Sequence, residues 1–407
     1  MAATTTGTAT AQAQEAAGGP GDQRGLVAHR HGAGTVPARS RAERTASFDV
    51  ADFPMPGGRE EEWRFTPLDR LGALLSDEPA TGRLDWATDL PDGVTLAGIS
   101  TERARARGAR PPADRPAALT VADSGGAMHL GVPADSTPDR PIRITLTGSG
   151  PDAVRGHLVV TAGRHSHAVL VLDHAGSAHY SEVLSVVVED GAELTVVSLQ
   201  TWDADAVHLG QHDAVLGRDA RYKHVAVTLG GKTVRLNTNV AYGAPGGDAE
   251  LLGLYFADAG QHLEHRLFVD HAEPNCRSNA VYKGALQGDG AHTIWVGDVL
   301  IRAAAEGTDT YELNRNLVLT DGARADSVPN LEIETGEIVG AGHASATGRF
   351  DDEQLFYLQA RGIPEDQARR LVVRGFFAGV IQQIGVPEVA DRLLAVIDAR
   401  LDEGAVA

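Results

Sequence analysis

The 407-residue sequence predicts a mainly β fold: a solenoid of short strands flanked by N-terminal and C-terminal helical regions. Three observations carry that reading. From about residue 139 to 335, apolar and polar residues alternate with the period of two that strands require. A turn of the form Asp-(Gly)-Ala recurs ahead of those strands, at alanines 192, 220, 249, 291 and 323. The last 57 residues then switch to the three-to-four spacing of amphipathic helices.

Composition narrows the function classes. Aromatic residues are only 5% while glycines number 47, which suits tight turns between strands and not an aromatic-lined ligand cavity. A net charge of −19 argues against nucleic acid and against anionic lipid as partners. Cys276 is the single cysteine, so the chain alone can form no internal disulfide and no multi-cysteine metal centre. A cytoplasmic protein is the expectation. The N-terminus has no apolar core of the kind a secretory leader carries, and apolar runs such as residues 168–172 are too short to span a bilayer.

Residues 1–44, rich in Ala, Thr and Gly, read as a low-complexity disordered segment that cannot bury enough apolar surface to offset ordering. Residues 45–138 read as an N-terminal helical region. Glu60, Glu61 and Glu62 precede Trp63 and Phe65, and Leu68, Leu71, Leu74 and Leu75 form a short apolar stripe around these aromatic anchors.

Residues 139–340 are the β core. Segments 142–147, 169–172, 194–199 and 234–240 are rich in Val, Leu and Thr and bounded by Gly and Asp. Recurrent turn chemistry with no helical pattern between suggests that each coil covers the next, although the loose period also admits a β-sandwich. Residues 341–407 form the C-terminal helical region. One helix runs from Asp351 or Asp352 to about Ala360, a second from Pro364 with the stripe Ala368, Leu371, Val372, Gly375, Phe376 and Gly379, and a third from near Pro387. The third carries Val389, Ala390, Leu393, Leu394, Ile397 and Leu401 on one face. Together they are expected to cap the end of the solenoid, with the two glycines admitting a neighbouring helix closely.

Several motifs invite chemistry and mostly decline it. Gly230-Gly231-Lys232-Thr233 ends like a phosphate-binding loop, but Ala226 stands where that motif needs glycine and a strand pattern follows where it needs a helix. His262, His265, His271 and Cys276 crowd into fifteen residues and are all competent soft-metal ligands. On a strand, however, His262 and His265 point to opposite faces. The zinc-protease pattern of two histidines four apart with a glutamate reads as absent. Cys276 is either a small buried apolar residue or a thiol activated by Arg277 or a nearby histidine. Asp289, Asp298, Asp309, Glu312 and Asp321 would be the carboxylates of a β-helical carbohydrate-active enzyme, but turn carboxylates are ordinarily solvated. A homodimeric metal-binding protein is the other alternative.

Three stretches resemble one known family. Arg59-Glu60-Glu61-Glu62-Trp63-Arg64-Phe65-Thr66-Pro67-Leu68 is similar to the acidic–Trp–basic–aromatic–Thr-Pro-Leu segment near the start of SufD proteins. His271, Pro274-Asn275-Cys276-Arg277-Ser278 and Tyr282-Lys283-Gly284 resemble that family's His…Cys-x-Ser…Tyr-Lys-Gly stretch. Pro329-Asn330-Leu331-Glu332-Ile333, then His343, Gly348 and the run from Asp351-Asp352-Glu353 to Arg361-Gly362-Ile363 resemble its C-terminal signature.

The resemblance implies a right-handed parallel β-helix and a non-catalytic scaffold subunit of the SUF iron–sulfur cluster assembly complex. The paralogous subunit SufB would pair through the β-helix end. The ATPase SufC would bind the C-terminal helices, where Phe356, Leu371 and Phe376 are the candidate contacts. It implies no stably bound cofactor, only a transient cluster or iron shared with SufB. Ala341-Gly342-His343 stands where many SufD proteins carry Cys-x-His, so His343 is the candidate ligand from this chain, with Cys276 and His271 weaker ones. An exposed β-helix end also makes a homodimer an expectation for the isolated chain.

Overall fold

The computed structural model describes residues 44–350 and 352–404; the N-terminal segment assigned to disorder lies almost wholly outside them. Three 3₁₀ turns (Val50–Asp52, Leu68–Arg70 and Gly72–Leu74) lead to strands β1 (Asp85–Asp89) and β2 (Thr95–Ile99). Helices α1 (Thr101–Ala106) and α2 (Arg115–Asp123) and strand β3 (Ala127–Val132) follow. The N-terminal region therefore holds the expected short helices together with three strands that were not expected. Trp63, Leu71, Leu74 and Leu75 are buried around one small core, as the apolar stripe suggested.

Two long strands, β4 (Ile142–Ala162) and β5 (His167–Val188), open the solenoid. Eleven strands of eight or ten residues continue it: β6 (Glu193–Trp202), β7 (Val207–Leu216), β8 (Arg221–Thr228), β9 (Thr233–Tyr242), β10 (Asp248–Ala257), β11 (His262–His271), β12 (Arg277–Leu286), β13 (His292–Ile301), β14 (Asp309–Val318), β15 (Arg324–Ile333) and β16 (Gly340–Arg349). Even-numbered strands stack in one parallel ladder and odd-numbered strands in another, and β5 belongs to both. Each turn of the chain thus lays one strand on each ladder, giving a parallel β-solenoid of about eight turns. The sandwich alternative is excluded.

The topology also explains the loose repeat. Ala220 and Ala249 precede or lie on the even ladder, whereas Ala291 and Ala323 precede β13 and β15 of the odd one. The long interval between Ala249 and Ala291 is a change of ladder, not an insertion.

Side chains alternate between the lumen and the outside, as strand geometry dictates. Inward residues from Leu130 to Ala305 form one continuous core. A second core lies outside: Val197, Val225, Leu252 and neighbouring residues of the even ladder pack against helices α4 (Glu365–Ile384) and α5 (Pro387–Gly404). With α3 (Asp352–Gln359), these helices match the expected boundaries. They lie along the flank of the solenoid, however, and leave its end open, so the expected cap is corrected.

The face assigned to α4 is corrected as well. Ala368, Val373, Phe377, Val380, Ile381 and Ile384 are buried, while Leu371 is exposed and Gly375 and Gly379 face open space. The deciding residues are those opposite the apolar outer surface of β8 and β10, which the helix pattern alone does not identify. The α5 face is as expected, with Val389, Leu393 and Ile397 buried.

Candidate functional site

The last rung of the solenoid is the most unusual surface of the described residues. β15 and β16 are the outermost strands of the two ladders, so each leaves one edge of backbone N–H and C=O groups without a strand partner among the described residues. Large apolar side chains surround these edges: Ile333 is 45% exposed, Tyr311 46% and Val339 75%. Unpaired strand edges beside exposed apolar residues are an invitation to another strand.

His343 lies on β16 and is exposed; its register partner on β14 is Glu312. Parallel neighbours in register project to the same side, so both face the lumen side of the end turns. Glu312 is buried, and neither carboxylate oxygen has a hydrogen-bond partner among the described residues. Burial, reinforced by the charge of Asp298, pushes its pKa up to about 8. A neutral acid therefore sits one rung behind an exposed imidazole. Trp295 Nε1 is a further buried polar atom without a partner among the described residues in this part of the lumen.

The other sequence-selected residues do not join His343. His271 stacks on Tyr242 and hydrogen-bonds Ser278 at 2.9 Å, and burial lowers its pKa to about 4. Cys276 is wholly buried, and burial raises its thiol pKa; Arg277 pairs with Asp309 at 3.2 Å instead of activating it. His265 faces the lumen and bonds Thr228 at 2.9 Å, while His262 bonds Glu264 at 3.2 Å. The four residues of that sequence cluster are thus engaged separately, and the fold does not bring them together around one point. The proposed carbohydrate-enzyme carboxylates are likewise dispersed: Asp298 takes Arg44 and Asn330, Asp309 takes Arg277, and Asp321 takes Arg349.

The Trp63 segment has a structural task. The Arg235 guanidinium lies 4.1 Å over the Trp63 ring and donates to Asp114 at 2.7 Å. Thr66 donates to Glu264 at 2.8 Å, and Arg266 pairs with the same carboxylate at 3.2 Å. Burial alone would raise the Glu264 pKa, but the His262 hydrogen bond and the Arg235 and Arg266 charges hold it at about 2. This buried ionic hub clamps the N-terminal segment to the outside of β9 and β11.

A third surface lies on the C-terminal helices. Phe356 is 72% exposed, Tyr357 55% and Leu371 51%, whereas Phe376 is half-buried beside Phe377, with Lys283 donating to its carbonyl.

The family model for the SufBD core domain of SUF-system FeS cluster assembly matches residues 144–376, more than half of the chain. The chain belongs to the SufBD family. It is 55% identical over 373 residues to an iron–sulfur cluster assembly SufBD family protein of Mycobacterium bovis, covering 90% of this chain and 94% of that protein. It is 26% identical over 293 residues to the iron–sulfur cluster assembly protein SufD of Bacillus subtilis, with coverage of 70% and 66%. A second SufBD family protein of M. bovis shares 27% identity over 227 residues, covering 56% of this chain but 26% of that one. The SufBD core match runs from β4 into α4 and so contains both the open rung and the exposed helix patch.

One constellation in this SufBD chain escaped the sequence reading. His208 and His212 are four residues apart without the adjacent glutamate of the zinc-protease pattern, and both face Glu182 inside the lumen. Even spacing on a strand was the available signal; the partner carboxylate lies on the neighbouring rung and is invisible to local spacing. Among the described residues, no helix is long and apolar enough to cross a membrane.

Proposed function

We propose that this SufBD protein is a non-catalytic scaffold subunit that pairs through its last rung with a paralogous SufB-type subunit and binds the SufC ATPase through α3 and α4. The observation carrying the reading is the open end: two unpaired parallel edges, three exposed apolar side chains and His343 in one place. A partner solenoid offering its own terminal strands would satisfy the backbone groups and cover Tyr311, Ile333 and Val339. The co-occurrence in M. bovis of a close relative and a second SufBD protein supports a paired arrangement.

In this reading His343 contributes one nitrogen to the nascent cluster, which is cargo, and thiolates come from SufB because Ala341 offers none. Glu312 keeps the lumen behind His343 uncharged. The exposed Phe356, Tyr357 and Leu371 form the docking surface for SufC, and Phe376 supports it from beneath. The scaffold itself would be cytoplasmic and supply geometry, with ATP turnover confined to SufC. Co-purification of wild type and His343→Ala with both partners, with cluster content read by visible absorption, tests it. Loss of cluster with retained partners supports ligation; equal cluster content in both removes His343 from the site.

A further inference from the structure

We propose that His174, Glu182 and His208 form a binding site for one divalent first-row transition-metal ion inside the early turns of the solenoid, far along the chain from His343. This site does not depend on the assembly role argued above. Glu182 and His208 are neighbours on β5 and β7, and His174 comes from the first half of β5, so three rung positions converge on one carboxylate.

The distances fit an ion. His174 Nε2 is 3.3 Å from Glu182 Oε1, and His208 Nε2 is 3.5 Å from Oε2. A tetrahedral ion with bonds of about 2.0–2.2 Å sets neighbouring ligand atoms roughly 3.3–3.5 Å apart. All three ligand atoms lie within 4.8 Å of one another, and all three residues are buried.

Hydrogen bonding points the same way. His174 Nδ1 lies 3.1 Å from the Leu199 carbonyl oxygen, which can only accept, so Nδ1 carries a proton. The other nitrogen, Nε2, then faces a carboxylate, and two acceptors so placed require a cation between them: a proton or a metal ion. A ligating histidine anchored to a carbonyl through its second nitrogen is the usual outer arrangement of a metal site. His208 Nε2 is buried, and its one polar neighbour among the described residues is Glu182 Oε2 at 3.5 Å, a long contact that an ion between the two atoms would replace with two short bonds. His212 holds Glu182 Oε2 at 3.0 Å and is held in turn by His224 at 3.0 Å, fixing the carboxylate.

One contact opposes binding and sharpens the test. The Trp202 indole N–H donates to His208 Nδ1 at 3.2 Å, so the metal-free imidazole carries its proton on Nε2. Ligation moves that proton to Nδ1, breaks the indole bond, and releases the proton shared by His174 and Glu182. Tyr180 is the residue between the cluster and the nearest cleft. Tyr180 stacks on His208 with ring centroids 5.2 Å apart and also lines a cleft of about 810 Å³ with Trp86, Met128 and His157.

The test is a titration of the chelator-treated full chain with Co²⁺, reading visible absorption and bound equivalents, with Zn²⁺ as competitor. One equivalent with a tetrahedral spectrum is expected, in wild type and in His343→Ala alike. Glu182→Gln and His208→Gln should each weaken binding by about 100-fold, and Trp202→Phe should tighten it by releasing His208 Nδ1. If circular dichroism shows that Glu182→Gln does not fold, His208→Gln and Trp202→Phe decide the matter. No saturable binding by wild type, or unchanged binding in His208→Gln, overturns the proposal. Binding lost only in His343→Ala overturns it too, while leaving the assembly role intact.

Discussion

Glu312 on β14 and His343 on β16 are register partners on the last two rungs of one ladder, the first buried and the second exposed. A buried acid and an exposed imidazole on the same side of adjacent strands make the end of this solenoid chemically unlike its flank.

Glu312 gives that end a pH signature. Its folded pKa of about 8 lies above the ordinary 4.5, so the stabilisation from keeping it protonated is fully present below about pH 4.5. It is lost as pH rises through about 8. Glu312→Gln stays neutral throughout, so calorimetric melting temperatures should show the wild type losing ground to the variant between pH 5 and 8.5. A constant difference across that range contradicts a buried neutral Glu312.

Glu264 behaves in the opposite sense. Its folded pKa of about 2 lies below 4.5, so its contribution is present above about pH 4.5 and is lost as pH falls through about 2. Removing one partner of a buried ionic hub costs about 3–5 kcal/mol. Urea melts at pH 7 should show Glu264→Gln destabilised on that scale, with the gap closing toward pH 2. Limited proteolysis should then cut the freed segment around Trp63.

The two faces of α4 should separate cleanly. Phe377 is wholly buried against the even ladder, and Phe377→Ala should cost about 3–5 kcal/mol. Leu371→Ala, on the exposed face, should change stability by no more than about 0.5 kcal/mol. Combined with Phe356→Ala, it should still weaken SufC binding in a pull-down. Undiminished binding by that double variant moves the SufC surface elsewhere.

Cys276 should be chemically quiet. It is buried between turns with its thiol pKa raised, and its sulfur lies 3.5 Å from the Pro274 carbonyl oxygen. Iodoacetamide should alkylate the unfolded chain and spare the native one, as read by intact mass. Rapid native labelling would reinstate an activated thiol.

Strand alternation in segments such as residues 194–199 made the solenoid legible, because each coil repeats one inward-facing pattern over its neighbour. Glycine at 362 and proline at 364 and 387 likewise marked the helix ends locally. What escaped was set by contacts distant in sequence. Leu371 and Phe377 both look core-worthy on α4, and only the apolar flank of β8 and β10 decides between them. Ala249 and Ala291 carry the same turn chemistry on different ladders, which local spacing cannot express. Among site residues, His343 was visible from its motif and its exposure fits a docking surface. Glu182 was not, since its histidines arrive from 8, 26 and 30 residues away along the chain.

The central claim is that the last rung is a pairing surface. Native mass spectrometry of the chain mixed with SufB and SufC, comparing wild type with Ile333→Asp/Val339→Asp, tests it most directly. Both positions are exposed, so the double variant should melt like wild type. Wild type is expected to form a complex containing one copy each of this chain and SufB, and the variant to lose SufB. A complex that assembles equally well with both charges in place, or no complex with wild type, contradicts it.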